Sequence, residues 1–231
     1  MTINPLKFYK QWTDGFRRLY ANHSPDHNYD SHLVQVCMNA QSICMANNIP
    51  YTREMELASI LHDMTEIYDR ANHNVSAANA VPSVLAELGI PTDNIDVELV
   101  QLCVKHHRAS EKEDITNMPI DVQVVSAADR MRPSTNKEDI LRDVYWRAIQ
   151  YSMTHTEEVE DTEDPVYSGF KWVHDTYTTD NARSKYYSDL YRNTFEKQLI
   201  AQKNLVAEIT LDEVREWCKR EKGIGAEITL S

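Results

Sequence analysis

With 231 residues, 42% hydrophobic, 26% charged and a formal net charge of −12, the chain has the composition of a soluble globular protein long enough to bury one core. The acidic balance disfavours a surface for duplex nucleic acid, because such affinity rests on neutralising phosphates with Lys and Arg. Five glycines without a Gly-rich phosphate loop exclude P-loop and dinucleotide-type phosphate binding, and four cysteines without C-x-x-C spacing leave a His/carboxylate route to metal.

No stretch approaches membrane-spanning length and no apolar secretory core opens the chain, so a cytosolic protein is expected. Residues 5–20 read as an amphipathic helix with Leu6, Tyr9, Trp12, Phe16 and Leu19 on its apolar face. A polar loop over 22–30 follows, whose His23 and His27 are read first as solvated and second as reaching the site. Asp30 or Ser31 should cap the next helix, which turns Leu33, Val36, Cys37, Ala40, Ile43 and Cys44 inward and ends near Asn47 and Asn48. The following helix runs through Leu57-Ala58-Ser59-Ile60-Leu61-His62-Asp63-Met64-Thr65-Glu66, and its period sets His62, Asp63 and Glu66 on one side. Antiparallel packing of these two helices would bring His32 to His62 and Asp63.

A helix over 75–88 is expected to close on Gly89 as its C-cap, with Pro82 a point of kinking or splitting. Asp93 or Asn94 should cap the next helix, apolar at Val97, Val100, Leu102 and Val104 and ending at His106-His107. After a polar loop over 108–121, the apolar run 122–128 predicts a buried helix carrying Asp129 at its end. Further helices are expected from Thr135 or Asn136 through Ile149, and over 167–177, 181–207 and 211–219. The acidic run 157–164 reads as a solvated loop and the segment from Gly223 as a frayed tail. No convincing run of strands appears, so the fold class is all-α.

Adjacent imidazole and carboxylate on an apolar helix suit a first-row divalent metal, and a second carboxylate nearby can handle a proton. Burying an unpaired charge is costly, so coordination is one of few ways such a helix sits in a core. The same residue types recur beside apolar segments: His32 in Tyr29-Asp30-Ser31-His32, His73 in Asn72-His73-Asn74, His106 and His107 after Lys105, and Asp129 in Ala127-Ala128-Asp129-Arg130. The order His, His-Asp, His, His-His, Asp resembles the HD-domain superfamily of metal-dependent phosphohydrolases, over about residues 29–132. Within it, the short gap from His62-Asp63 to His73 and the Ala-Asp-Arg ending resemble the small bacterial nucleotide pyrophosphohydrolases.

The resemblance implies an HD-type helical bundle with additional C-terminal helices. This is a single domain over 1–231, its metal-site core at about 29–132 and a helical extension at about 135–222. It implies His32, His62, Asp63 and Asp129 as metal ligands, a donor set suited to Mn²⁺, Fe²⁺, Co²⁺, Ni²⁺, Zn²⁺ or Mg²⁺. Asp63 and Glu66 are the catalytic candidates; Glu66 either orients or deprotonates the attacking water or pairs with Arg70 at i+4. His73 and His107 either hold a second metal, as in binuclear branches, or touch substrate phosphate, as in the mononuclear pyrophosphohydrolases. The resemblance implies His107 rather than His106, as the last His of the segment; adjacent residues on a regular helix cannot both face inward, so His106 is expected beside the site or exposed.

Lys105, Arg130 and Arg132 are candidate phosphate clamps, with solvated surface charge the alternative for each. The expected partner is a small anionic substrate of the nucleotide class, with no duplex nucleic acid and no membrane, and with homodimerisation left open. The expected activity is hydrolysis of a phosphoester or phosphoanhydride bond by a metal-activated water. An HD-type di-iron oxygenase and a non-catalytic nucleotide- or metal-binding regulator are the alternatives.

Overall fold

The computed structural model describes residues 6–23, 27–108, 114–130, 133–154, 164–178 and 188–222, and among these the chain is all-α, without a strand. The helices are α1 (Thr13–Leu19), α2 (Val34–Ala46), α3 (Arg53–Leu61), α4 (His73–Leu88), α5 (Val97–Lys105), α6 (Ile120–Ala128), α7 (Lys137–Thr154), α8 (Pro165–Thr178), α9 (Asp189–Glu208) and α10 (Leu211–Lys222). The chain divides into two compact units, Met1–Arg132 with Ser188–Thr194, and Pro133–Tyr187 with Phe195–Ser231. Among the described residues no helix is long and apolar enough to cross a membrane.

The first unit is built around α3. Every residue from Met55 to Leu61 is buried, because α2, α5 and α6 pack around it. A helix enclosed this way must satisfy its polar groups from inside the protein. Thr52 caps it, its hydroxyl accepting from Met55 N at 3.1 Å and donating to Asp121 Oδ1 of α6 at 2.6 Å. Glu56 is buried, and its carboxylate accepts from the backbone N–H groups of Lys7 (2.8 Å), Phe8 (2.8 Å) and Tyr9 (2.9 Å). Burial pushes the Glu56 carboxyl pKa up, against the pull of those three donors. This anchor explains why the expected helix over 5–20 is shortened. The N–H groups of residues 7–9 face Glu56, a 3-10 turn follows at Lys10–Trp12, and α1 starts only at Thr13.

Other boundaries also move. Asn28, not Asp30 or Ser31, caps the segment leading to α2: its Oδ1 accepts from Ser31 N at 2.9 Å, and a π-helical turn over Tyr29–Leu33 follows. Asp96, not Asp93 or Asn94, caps α5 by accepting from Leu99 N at 2.9 Å. α3 stops at Leu61, before the His-Asp pair, and tight turns replace it: Met64 N donates to Leu61 O, Glu66 N to Asp63 O and Tyr68 N to Thr65 O. The predicted helix start at 181 and the tail from 223 lie outside the described residues, as does most of the acidic run. Gly89 does close α4, with φ of 65° and Ile90 N bonded to Leu85 O at 2.9 Å.

Pro82 neither splits nor ends α4. Proline has no N–H for the carbonyl four residues back, here Ala78 O. Gln101 of α5 supplies the missing donor, its Nε2 reaching Ala78 O at 2.9 Å. In the second unit, α7 and α8 meet at Gly169, where a Cβ would lie 2.5 Å from Val144 O and 2.8 Å from Ala148 N. That unit's core comprises Ile140, Leu141, Val144, Val173, Val206, Ile209, Val214, Trp217 and Cys218. All four cysteines are buried and free.

The Gln101–Ala78 bond gives a direct prediction. Gln101→Leu should destabilise the first unit by about 1–3 kcal/mol, the cost of leaving a buried carbonyl unpaired. In a Pro82→Ala background, where residue 82 regains its N–H, the same change should cost much less. Urea unfolding of the four proteins as a double-mutant cycle checks this, and additive effects would refute the compensation.

Candidate metal centre

The centre forms where helices end. His62 and Asp129 are the C-cap residues of α3 and α6, and His107 follows the C-cap of α5. His73 is the first residue of α4, and His32 lies in the π-helical turn before α2. α5 ends at Lys105 and the backbone turns at His106 (φ −107°, ψ 19°), which carries the side chain of His107 into the cluster. His107 and His62 are almost completely buried, at 1% and 0% exposure.

The donor atoms gather on the two oxygens of Asp63, with His62 and His107 also within 4.8 Å of one another, and count as two clusters, one for each oxygen. In the first, His32 Nε2 and His62 Nε2 stand 3.2 Å apart. They lie 3.3 Å each from Asp63 Oδ2, and 3.4 and 3.1 Å from Asp129 Oδ1. In the second, His73 Nε2 and His107 Nε2 stand 3.2 Å apart, at 3.2 and 3.5 Å from Asp63 Oδ1. Ligands held about 2.1 Å from one cation are separated by about 3.0 Å in octahedral and about 3.4 Å in tetrahedral geometry. The observed spacings fall in or near that range.

The tautomers agree with coordination. His62 Nδ1 donates to Ser59 O (3.0 Å), His73 Nδ1 to Arg70 O (3.0 Å) and His107 Nδ1 to Val104 O (2.6 Å). A carbonyl can only accept, so each Nδ1 carries the proton and each neutral ring presents a lone pair at Nε2. Two lone pairs 3.2 Å apart repel unless a proton or a cation lies between them and the carboxylates. The donor set therefore fits a divalent cation in each cluster.

Without a cation, protons take that role. Burial works against charge on His62, but Asp63 and Asp129 overcome it and hold its pKa well above the ordinary value. His32 and His73 are raised in the same way, their contacts with carboxylates outweighing burial. His107, the ring farthest from compensation, is lowered by burial. Asp63 is buried and Asp129 half-buried, yet both are driven far below the usual carboxylate range, His62 being the largest charge acting on each.

Surrounding donors fix the frame. Asn39 of α2 donates from Nδ2 to Ala128 O and Arg130 O, both at 2.9 Å, so it grips the backbone on either side of Asp129. Asn74 Nδ2 donates to Lys105 O at 2.8 Å, Ser126 Oγ to His107 O at 3.2 Å and Thr65 Oγ1 to His73 O at 2.9 Å.

The structure thus brings His32, His62, Asp63, His73, His107 and Asp129 together. Glu66 is half-buried and pairs with Arg70, Nε to Oε1 at 3.5 Å. Because α3 ends at Leu61, the expected α-helical register between His62 and Glu66 is absent. The Lys105 side chain is exposed, Arg130 is half-buried, and Arg132 lies outside the described residues.

The expectation that His23 and His27 are solvated is overturned. Both bond to Asp63: His23 Nε2 donates to its main-chain oxygen at 3.1 Å, and His27 Nδ1 to Oδ2 at 3.0 Å. Arg108 also escaped the sequence reading. Its Nη1 donates to Ala71 O at 2.6 Å, close enough to His73 for its charge to oppose protonation there. Loop histidines and arginines have no periodicity to mark them, so reaching the site is only the lesser reading for His23 and His27, and nothing in the sequence marks Arg108.

Residues 29–133 match the family model of the HD domain, which supports placing this segment in the HD superfamily. All six clustered residues lie within the matched segment. No curated protein and no solved structure matches the chain.

Two predictions follow from the tautomers and from Asn39. Mn²⁺ should raise the melting temperature and release protons, since the cation displaces those held by His32, His62 and His73. Affinity should therefore fall as pH drops through the raised histidine pKa values, measurable by calorimetry in buffers of different ionisation enthalpy. Asn39→Leu, which releases the backbone around Asp129, should weaken binding at the first cluster about 10–100-fold. Unchanged Mn²⁺ affinity in that variant would exclude the positioning role of Asn39.

Proposed function

We propose that the protein is a metal-dependent phosphohydrolase that cleaves a phosphoester or phosphoanhydride bond in a nucleotide or related small anion. The reading is carried by one observation: two imidazole pairs converge on the two oxygens of Asp63 within a segment matching the HD domain. Bound divalent cations supply Lewis acidity, lowering the pKa of water and polarising a phosphoryl oxygen.

The chain's own residues do the rest. His32, His62, Asp63 and Asp129 would hold one cation, and His73, His107 and Asp63 would hold a second. Asp63 would belong to both, its Oδ2 facing His32 and His62 and its Oδ1 facing His73 and His107. Arg108, tied to Ala71 beside His73, and Arg130, next to Asp129, offer guanidinium groups for phosphate oxygens. Glu66, in the turn after Asp63, is the carboxylate assigned to orient water, with its ion pair to Arg70 at 3.5 Å the competing role.

A second reading draws on the same geometry. Four histidines and two aspartates, one shared, also suit a di-iron oxygenase. Oxygen uptake by the iron-loaded protein separates the two.

The deciding experiment is a nucleotide panel incubated anaerobically with Mn²⁺, comparing wild type with Asp63→Ala. Wild type should release phosphate or pyrophosphate, and Asp63→Ala should lose at least about a thousandfold in rate, equivalent to about 4 kcal/mol of lost transition-state stabilisation. A metal-loaded wild type that turns over no nucleotide would refute the proposal.

A further inference from the structure

Asp63 has one neighbour more than the two clusters require. Its Oδ1 faces His73 and His107 and its Oδ2 faces His32 and His62, yet Oδ2 also accepts from His27 Nδ1 at 3.0 Å, the shortest of the five contacts. A carboxylate oxygen has two lone-pair directions, so Oδ2 can serve a cation and a hydrogen-bond donor at once. The Asp terminal torsion is broad, and a carboxylate without a third anchor can rotate to give both oxygens to one cluster.

The anchor comes from outside the helices. Tyr20 OH donates to Ile60 O at 2.6 Å, and His23, its ring centroid 4.6 Å from that of Tyr20, donates to Asp63 O at 3.1 Å. Tyr20, His23 and His27 thus hold the end of α3, the main chain of Asp63 and its carboxylate in turn. His27 is also the most exposed ring around Asp63, with 32% of its side chain accessible against 19% for His32 and 10% or less for His62, His73 and His107.

We propose that His27 is a positioning residue of the centre, donating from Nδ1 to Asp63 Oδ2 so that the two carboxylate oxygens stay divided between the two clusters. This rests on the two-cation reading above. It differs from a role as a further ligand, in which Nδ1 would carry a lone pair instead of a proton.

The test compares wild type, His27→Ala and His27→Asn by calorimetric Mn²⁺ titration and by electron paramagnetic resonance of the loaded proteins. Asn places its amide N–H where Nδ1 stood but is a poor ligand. Wild type should bind two Mn²⁺ and show a coupled pair. His27→Ala, melting like wild type, should bind one of them about 10–100-fold more weakly and show mainly isolated Mn²⁺. His27→Asn should restore affinity and coupling.

Wild-type behaviour in His27→Ala would overturn the proposal. So would a folded His27→Asn that fails to restore, because His27 would then be a ligand itself. If wild type binds no Mn²⁺, the metal reading fails before any variant is compared, and the proposal with it.

Discussion

The first unit depends on how one buried carboxylate is compensated. Asp63 lies out of water with five imidazole nitrogens within 3.5 Å of its oxygens. An uncompensated carboxylate there would cost several kcal/mol or more. Protons on His32, His62 and His73 compensate it in one state, and divalent cations would in the other. Both states use the same Nε2 atoms, so folding and metal uptake draw on one set of groups.

Aiming those atoms is the work of the helix ends. The last carbonyls of a helix have no intrahelical partner and must find donors elsewhere. In α3 and α5 they find the ligand rings: Ser59 O takes the Nδ1 proton of His62, and Val104 O that of His107. Ile60 O takes Tyr20, Lys105 O takes Asn74 and Ala128 O takes Asn39. The same bonds that cap the helices therefore choose the imidazole tautomers and fix the loops on which the acids sit. Three helix C-termini, the negative ends of their dipoles, end at this point and favour positive charge there, against the positive N-terminus of α4 at His73.

This explains which features were legible. The spacing of Leu57, Ile60 and Leu61 marks α3, and the ordered His and Asp residues mark the six that meet, because residue type and order survive without knowledge of the fold. What period cannot show is where a helix stops. Leu61 to Glu66 continues the apolar repeat, yet the helix ends because tight turns capture the backbone and His23 binds Asp63 O. Nothing in the sequence pattern marks Glu56 as internal; the return of residues 7–9 to α3 makes it an anchor. Pro82 reads as a breaker because its compensating donor, Gln101, lies on another helix. In each case the deciding partner is distant in sequence.

The charge on the centre also bears on its substrate. The whole chain carries −12, which gives an approaching anion no long-range attraction. Salt screens such fields beyond about 10 Å, so the local balance decides binding. With neutral imidazoles, one divalent cation among the carboxylates of Asp63 and Asp129 would make a centre with no net charge. A second cation, held by His73, His107 and the other oxygen of Asp63, would leave it about two charges positive. On the proposed reading, filling both clusters would strengthen affinity for a phosphate group, and the sharing of Asp63 matters because it would add that second cation without adding another carboxylate.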